Sequence, residues 1–200
     1  MIRTLIVDSH PALRAGVKVV LEAEGDLVVV GDTGLQEELL PLLRRTRPDV
    51  VLLDCHPPIL AGLRACRLAK CLLPAPRVLI YSSHADARSR VAARVAGANG
   101  LLGKNASALD LVQAIRAVHG GAQLFERIRP DDLQEATQLL DQQEAQILEM
   151  LLRRRPPSEI AVALGVPLAS VDRRVSDILD LLCVDSPGAA ADEPCERPAA

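Results

Sequence analysis

The chain has 200 residues, 49% of them hydrophobic but only 1% aromatic, and a formal net charge of -3. That length favours two modest domains, and a core with few aromatics must be built from Leu, Val, Ile and Ala, which suits an α/β protein. No stretch approaches the roughly 20 apolar residues of a membrane span, and Asp8 cuts the first apolar run too early for a signal peptide, so no membrane partner and a cytoplasmic location are expected. Five cysteines (Cys55, Cys66, Cys71, Cys183, Cys195) without zinc-type or CxxC spacing read as reduced thiols.

Short apolar runs alternate with helical patterns through the first 120 or so residues. Predicted strands are Leu5–Val7, Leu27–Val30, Val50–Leu53, Val78–Tyr81 and Gly100–Leu102, each nearly all apolar, as expected of strands buried on both faces. The first helix carries Leu13, Val17, Val20 and Leu21 on one face. Pro41 means that the second is kinked or begins near Leu40, and the last runs from the N-cap Ser107 to Gly120-Gly121. Such alternation predicts a doubly wound, five-stranded parallel sheet whose functional residues sit at the carboxyl ends of the strands. Those ends bring forward Asp8, Ser9, Asp54, Ser82 and Lys104.

Residues 122–137 are mixed and polar with Pro130 and read as a linker or a short connecting helix, able to support a closed or an open arrangement of domains. Three helices then follow: one starting at an Asp141/Glu144 capping box and ending near Leu152, a short Ser158–Leu164 helix, a Gly165 turn, and Leu168–Leu182. In the last, Val171, Val175, Ile178 and Leu182 form a buried stripe with Ser170, Asp172, Arg173, Arg174 and Asp177 largely outside it. This is helix-turn-helix spacing. The tail 185–200 is rich in Pro, Ala and acid and is expected to be disordered. Predicted domains are therefore 1–121, a linker 122–137, 138–184, and the tail. Charge divides unexpectedly: residues 1–121 carry 15 Lys/Arg against 11 Asp/Glu (+4), and residues 138–184 carry 5 against 7 (-2).

Carboxylates, a hydroxyl and a lysine converging at a strand edge are what a phosphoryl-accepting aspartate needs. The segments IVDSHPALRAGV, RPDVVLLDCHPP, RVLIYSSHAD and GANGLLGKNAS resemble the receiver domain of response regulators. LDQQEAQILEMLL, SEIAVALGV and SVDRRVSDILDLL resemble the LuxR/NarL-type helix-turn-helix domain. The resemblance implies a CheY-like receiver with Asp54 as phospho-acceptor, Asp8 and Ser9 in the acidic pocket, and Ser82, Leu101 and Lys104 as switch residues. It further implies a Mg²⁺ site at Asp8, Asp54 and His56, and DNA contacts from Ser170, Arg173, Arg174, Arg153, Arg154 and Arg155.

Three departures in the receiver and two in the C-terminal unit bear on function. Ser9 stands where the family has a second acid, which weakens Mg²⁺ binding and makes phosphorylation slow or absent; Leu101 replaces an aromatic; Pro57-Pro58 replace a methionine-proline pair. In the third C-terminal helix Asp172 stands where the family has a lysine, and an acid there repels phosphate. The fourth helix that closes this domain in the family has no counterpart, so a homodimer is expected to pair through the receiver. His10, His56, His84 and His119 otherwise read as scattered, solvent-facing residues. The expected function is a non-enzymatic, DNA-binding transcriptional regulator served by a sensor kinase. The alternative is a degenerate regulator that sequesters a partner regulator or kinase without binding DNA.

Overall fold

A computed structural model describes residues 1–55, 59–83, 85–126, 129, 137–138 and 140–183. His56, Pro57, Pro58, His84, most of the linker and the tail, including Cys195, lie outside the described residues. The elements are β1 (Ile2–Val7), α1 (Pro11–Glu22), β2 (Leu27–Thr33), α2 (Leu39–Thr46), β3 (Val50–Leu53), α3 (Ile59–Lys70), β4 (Arg77–Ser82), α4 (Ala87–Val95), β5 (Gly100–Gly103) and α5 (Ala108–His119). The C-terminal unit follows as α6 (Gln142–Leu152), α7 (Pro157–Leu164) and α8 (Leu168–Cys183).

The sheet is parallel throughout, with strand order β2-β1-β3-β4-β5. The order reverses between β1 and β3, which opens a crevice at their carboxyl ends. Helices cover both faces because every central strand is apolar on both sides. Val17 and Leu21 of α1 and Leu111, Val112, Ile115 and Val118 of α5 pack on Ile6, Leu52, Leu79 and Tyr81. On the other face α2, α3 and α4 bury Leu39, Leu43, Leu63, Cys66, Val91 and Ala92 against Leu5, Val51, Leu53 and Ile80.

Local chemistry sets the helix ends. Pro41 does not kink α2 but falls in its first turn, after a 3₁₀ turn at Gln36–Glu38, where a missing N–H costs nothing. Ser107 and Asp110 form a capping box on α5, and Asp141 and Glu144 form one on α6. Gly165 ends α7 at φ 64°, a left-handed conformation natural to glycine, and so makes the tight turn into α8.

The two parts are docked. The second core is continuous with Ile147, Leu148, Ile160, Val171, Val175, Ile178 and Leu179 of the C-terminal unit. Helix α8 lies against α3 and α4, and α6 also meets α4. Asp172 pairs with Arg67 (3.0 Å) and Asp180 with Arg64 (2.9 Å), so α8 runs antiparallel to α3. Of the two arrangements that the linker allows, this is the closed one.

Candidate functional site

The crevice between β1 and β3 holds the acidic pocket. Asp8 follows β1 and Asp54 follows β3, with side chains 5% and 3% exposed. Lys104, just past β5, places its ammonium 2.7 Å from Asp8 Oδ2 and 2.8 Å from Asp54 Oδ1, bridging the two carboxylates. Burial alone would lower the lysine pKa, but the hydrogen bonds and charges of Asp54 and Asp8 outweigh burial and hold it above its ordinary value. Gly62 permits this packing: a Cβ there would lie 2.9 Å from the Asp54 carbonyl oxygen and 2.5 Å from Cys55 Sγ, so only glycine lets α3 approach the acceptor segment.

Ser9 is exposed at the rim, and its hydroxyl lies 3.3 Å from His10 Nδ1. His10 faces solvent as expected, its side chain 62% exposed, and it also touches the pocket: its backbone N–H donates to Asp8 Oδ1 (2.7 Å), and Nδ1 lies 3.1 Å from the same oxygen. Ligand atoms of Asp8, His10 and Asp54 all lie within 4.8 Å of one another. The donors fit a divalent cation, which would neutralise phosphoryl oxygens if bound. They fit Mg²⁺ weakly, because an imidazole nitrogen is a poor substitute for a carboxylate oxygen and Lys104 competes for both acids.

The switch positions are in place. Ser82 ends β4, is buried, and donates its hydroxyl to the Cys55 carbonyl (2.9 Å). Leu101 packs beside Ser82, Cys55, Ile59 and Ala93 around a narrow cleft. The neighbouring Cys55 and Cys66 thiols are buried. Burial pushes Cys55 well up and Cys66 to about 12, far from the thiolate state that oxidation requires.

The second candidate surface is α8. Its buried stripe is the expected one, extended by Leu179. Ser170, Arg173 and Asp177 are exposed. Arg174 reaches back to Asp141 at the start of α6 (3.1 Å) and braces the domain. Asp172 and Asp180, two turns apart on one face, meet the α3 arginines, which explains the acid that disagreed with phosphate binding: its partner is in the receiver. Arg153 pairs with Glu149 (2.6 Å), Arg155 is exposed, and Arg154 turns toward the receiver, donating to the Ala98 carbonyl (3.1 Å).

A doubly wound sheet with a carboxylate pair, a lysine and a hydroxyl at its β1/β3 edge, carrying a docked three-helix unit, defines a receiver-type signalling protein. The sequence model described as Response regulator receiver domain matches residues 4–116, and the chain belongs to that family. It is 34% identical over 177 residues to the transcriptional regulatory protein MctR of Rhizobium johnstonii, covering 86% of this chain and 82% of that one. It is 29% identical to the response regulator VraR of Staphylococcus aureus, over 90% of each chain. A crystal structure of a LuxR-family two-component response regulator from Aurantimonas superposes with a TM-score of 0.59 at 32% identity, covering 68% of this chain and 94% of that one. The chain is thus a response regulator with a LuxR/NarL-type architecture.

Proposed function

We propose that this regulator binds DNA through α8 and that docking on the receiver, rather than phosphorylation of Asp54, controls access to it. The observation that carries this reading is the placement of α8. Its outward side carries Ser170, Arg173 and Asp177, while the adjoining Asp172 and Asp180 are held by Arg67 and Arg64. A recognition helix must insert its outward side into a major groove, so a receiver lying against part of it competes with DNA. The proposed units are those expected from sequence: receiver 1–121, linker 122–137, helix-turn-helix 138–184 and tail. Arg173 is the residue assigned to base or phosphate contact, with Ser170, Arg153 and Arg155 beside it and Arg154 and Arg174 in bracing roles. Wild-type binding should fall steeply with salt, and Arg173→Ala should weaken it by about 1 to 3 kcal/mol if the arginine reads a base. Equal affinity in the variant, or salt-independent binding, would count against the assignment.

The phosphate switch is proposed to be impaired. Lys104 already pairs with both pocket acids and cancels one of their two charges, and Ser9 supplies no further carboxylate, so any Mg²⁺ held by Asp8, Asp54 and His10, or by the family position His56, binds weakly. Incubation with a small-molecule phosphodonor and Mg²⁺ should leave the intact mass of the wild type unchanged, whereas Ser9→Asp should gain a phosphoryl adduct. An adduct on the wild type that Asp54→Ala removes would restore a conventional switch and a sensor kinase as its source.

The protein is assigned no enzymatic activity and a cytoplasmic location; no described helix is long and apolar enough to cross a membrane. A homodimer through the receiver is supported by Val19 on α1 and Leu109 on α5, which are 70% and 62% exposed on adjacent helices. One observation favours the second reading, a protein partner in place of DNA. Val162 and Leu168 flank the α7–α8 turn at 83% and 47% exposed, apolar where a phosphate backbone would pass.

A further inference from the structure

Strand β5 is the last in the sheet order, so its outer edge is open to a further segment of chain. The start of the linker takes that edge. Leu101 N–H donates to the Leu124 carbonyl and Leu124 N–H donates to the Asn99 carbonyl, both at 2.9 Å, a parallel bridge opposite Gly100. Gly100 makes room for it: a Cβ there would lie 2.9 Å from Leu124 Cβ and 3.1 Å from the Leu124 carbonyl oxygen.

From that bridge the next two side chains go to opposite faces of the sheet, as they do along a strand. Leu124 packs into the core under α1 and α5. Phe125 packs into the other core, the one that runs on into the C-terminal unit. Its ring centroid lies 5.4 Å from the guanidinium of Arg94 on α4 and 5.4 Å from that of Arg154 in the C-terminal unit. Arg154 also donates to the Ala98 carbonyl at 3.1 Å, and Glu126 pairs with Arg90 of α4 at 3.1 Å. Three consecutive residues thus hold β5, α4 and the C-terminal unit together. The first of them is bonded to the backbone of Leu101, whose side chain packs beside Ser82.

We propose that Leu124, Phe125 and Glu126 form a strap through which displacement of β5 at Leu101 releases the C-terminal unit from the receiver. A shift of Leu101 carries Leu124 with it through their hydrogen bond, and Phe125 then leaves Arg154. The docked state loses that contact while the α3–α8 ion pairs are untouched, so the balance moves toward the open form. The strap deepens the docking reading and rests on it for the meaning of release at α8.

The test is hydrogen exchange of the full chain read by mass spectrometry, comparing α8 with α5. The core of the C-terminal unit is continuous with that of the receiver, so α8 amides exchange through undocking, while α5 packs on the other face and serves as reference. Arg154→Gln, at an exposed position, should speed α8 exchange about tenfold, the loss of one cation–π contact and one hydrogen bond, and leave α5 unchanged. Arg154→Lys should keep most of the protection. Gly100→Ala, whose added Cβ meets Leu124, should speed α8 exchange at least as much. It should also move the resonance of 4-fluorophenylalanine incorporated at Phe125, the one phenylalanine of the chain. Arg67→Asp tests docking alone and should speed α8 exchange whether or not the strap transmits anything, so a failed strap and a failed docked arrangement give different patterns. Unchanged α8 exchange in Arg154→Gln or Gly100→Ala, a rise that α5 shares in full, or an unmoved fluorine resonance overturns the proposal.

Discussion

Lys104→Met should destabilise the protein by about 3 kcal/mol at neutral pH, the low end of the range for removing one partner of a buried ion pair. Methionine keeps most of the length and apolar volume of the side chain but leaves the Asp8 and Asp54 carboxylates facing each other with side chains 5% and 3% exposed. The low end applies because the pocket is open at the His10 rim, where that side chain is 62% exposed. In the wild type the folded lysine pKa lies above the ordinary 10.5, so the stabilisation from the pair is fully present below pH 10.5 and is lost as pH rises past it. Urea midpoints of the wild type and the variant at pH 7.5, with and without Mg²⁺, check this. Wild-type stability at pH 7.5 would mean that water, not Lys104, solvates the two acids.

The acceptor pocket was legible in the sequence because its geometry follows from topology. Once strand and helix alternate with the order reversing between β1 and β3, residues just after those strands must face each other, and Asp8 and Asp54 do. The strands proved longer than their apolar runs, as at Ile2–Val7 and Leu27–Thr33. Backbone pairing continues past the buried segment, which hydrophobicity alone does not mark. His10 was missed because a histidine just before a helix has no distinctive pattern; only the turn made by its N–H to Asp8 brings the ring to the pocket. The partner of Asp172 was beyond reach for a different reason. Arg67 lies 105 residues away on another domain, and nothing local to either residue encodes how two domains dock. The charge imbalance between the halves was visible, but how it is used is not legible until Asp172 and Asp180 of the acidic half are seen on Arg67 and Arg64 of the basic one.

Asp172→Lys should raise DNA affinity about tenfold or more and steepen its salt dependence by about one unit of slope, the change expected for one added phosphate contact. Two effects act in the same direction. The substitution turns an attraction to Arg67 into a repulsion, which favours release of α8, and it places a cation where a phosphate would lie. A charge swap separates them. In the Asp172→Lys, Arg67→Asp double variant the pair is re-formed with reversed polarity, so docking returns while the lysine stays on α8. If masking by the receiver dominates, affinity in the double variant falls back toward the wild type. If the lysine acts only through phosphate, the full gain persists in the swap, and Arg67→Asp alone has no effect on DNA binding. That second pattern would remove the receiver from control of α8 and leave the docked arrangement a structural feature only.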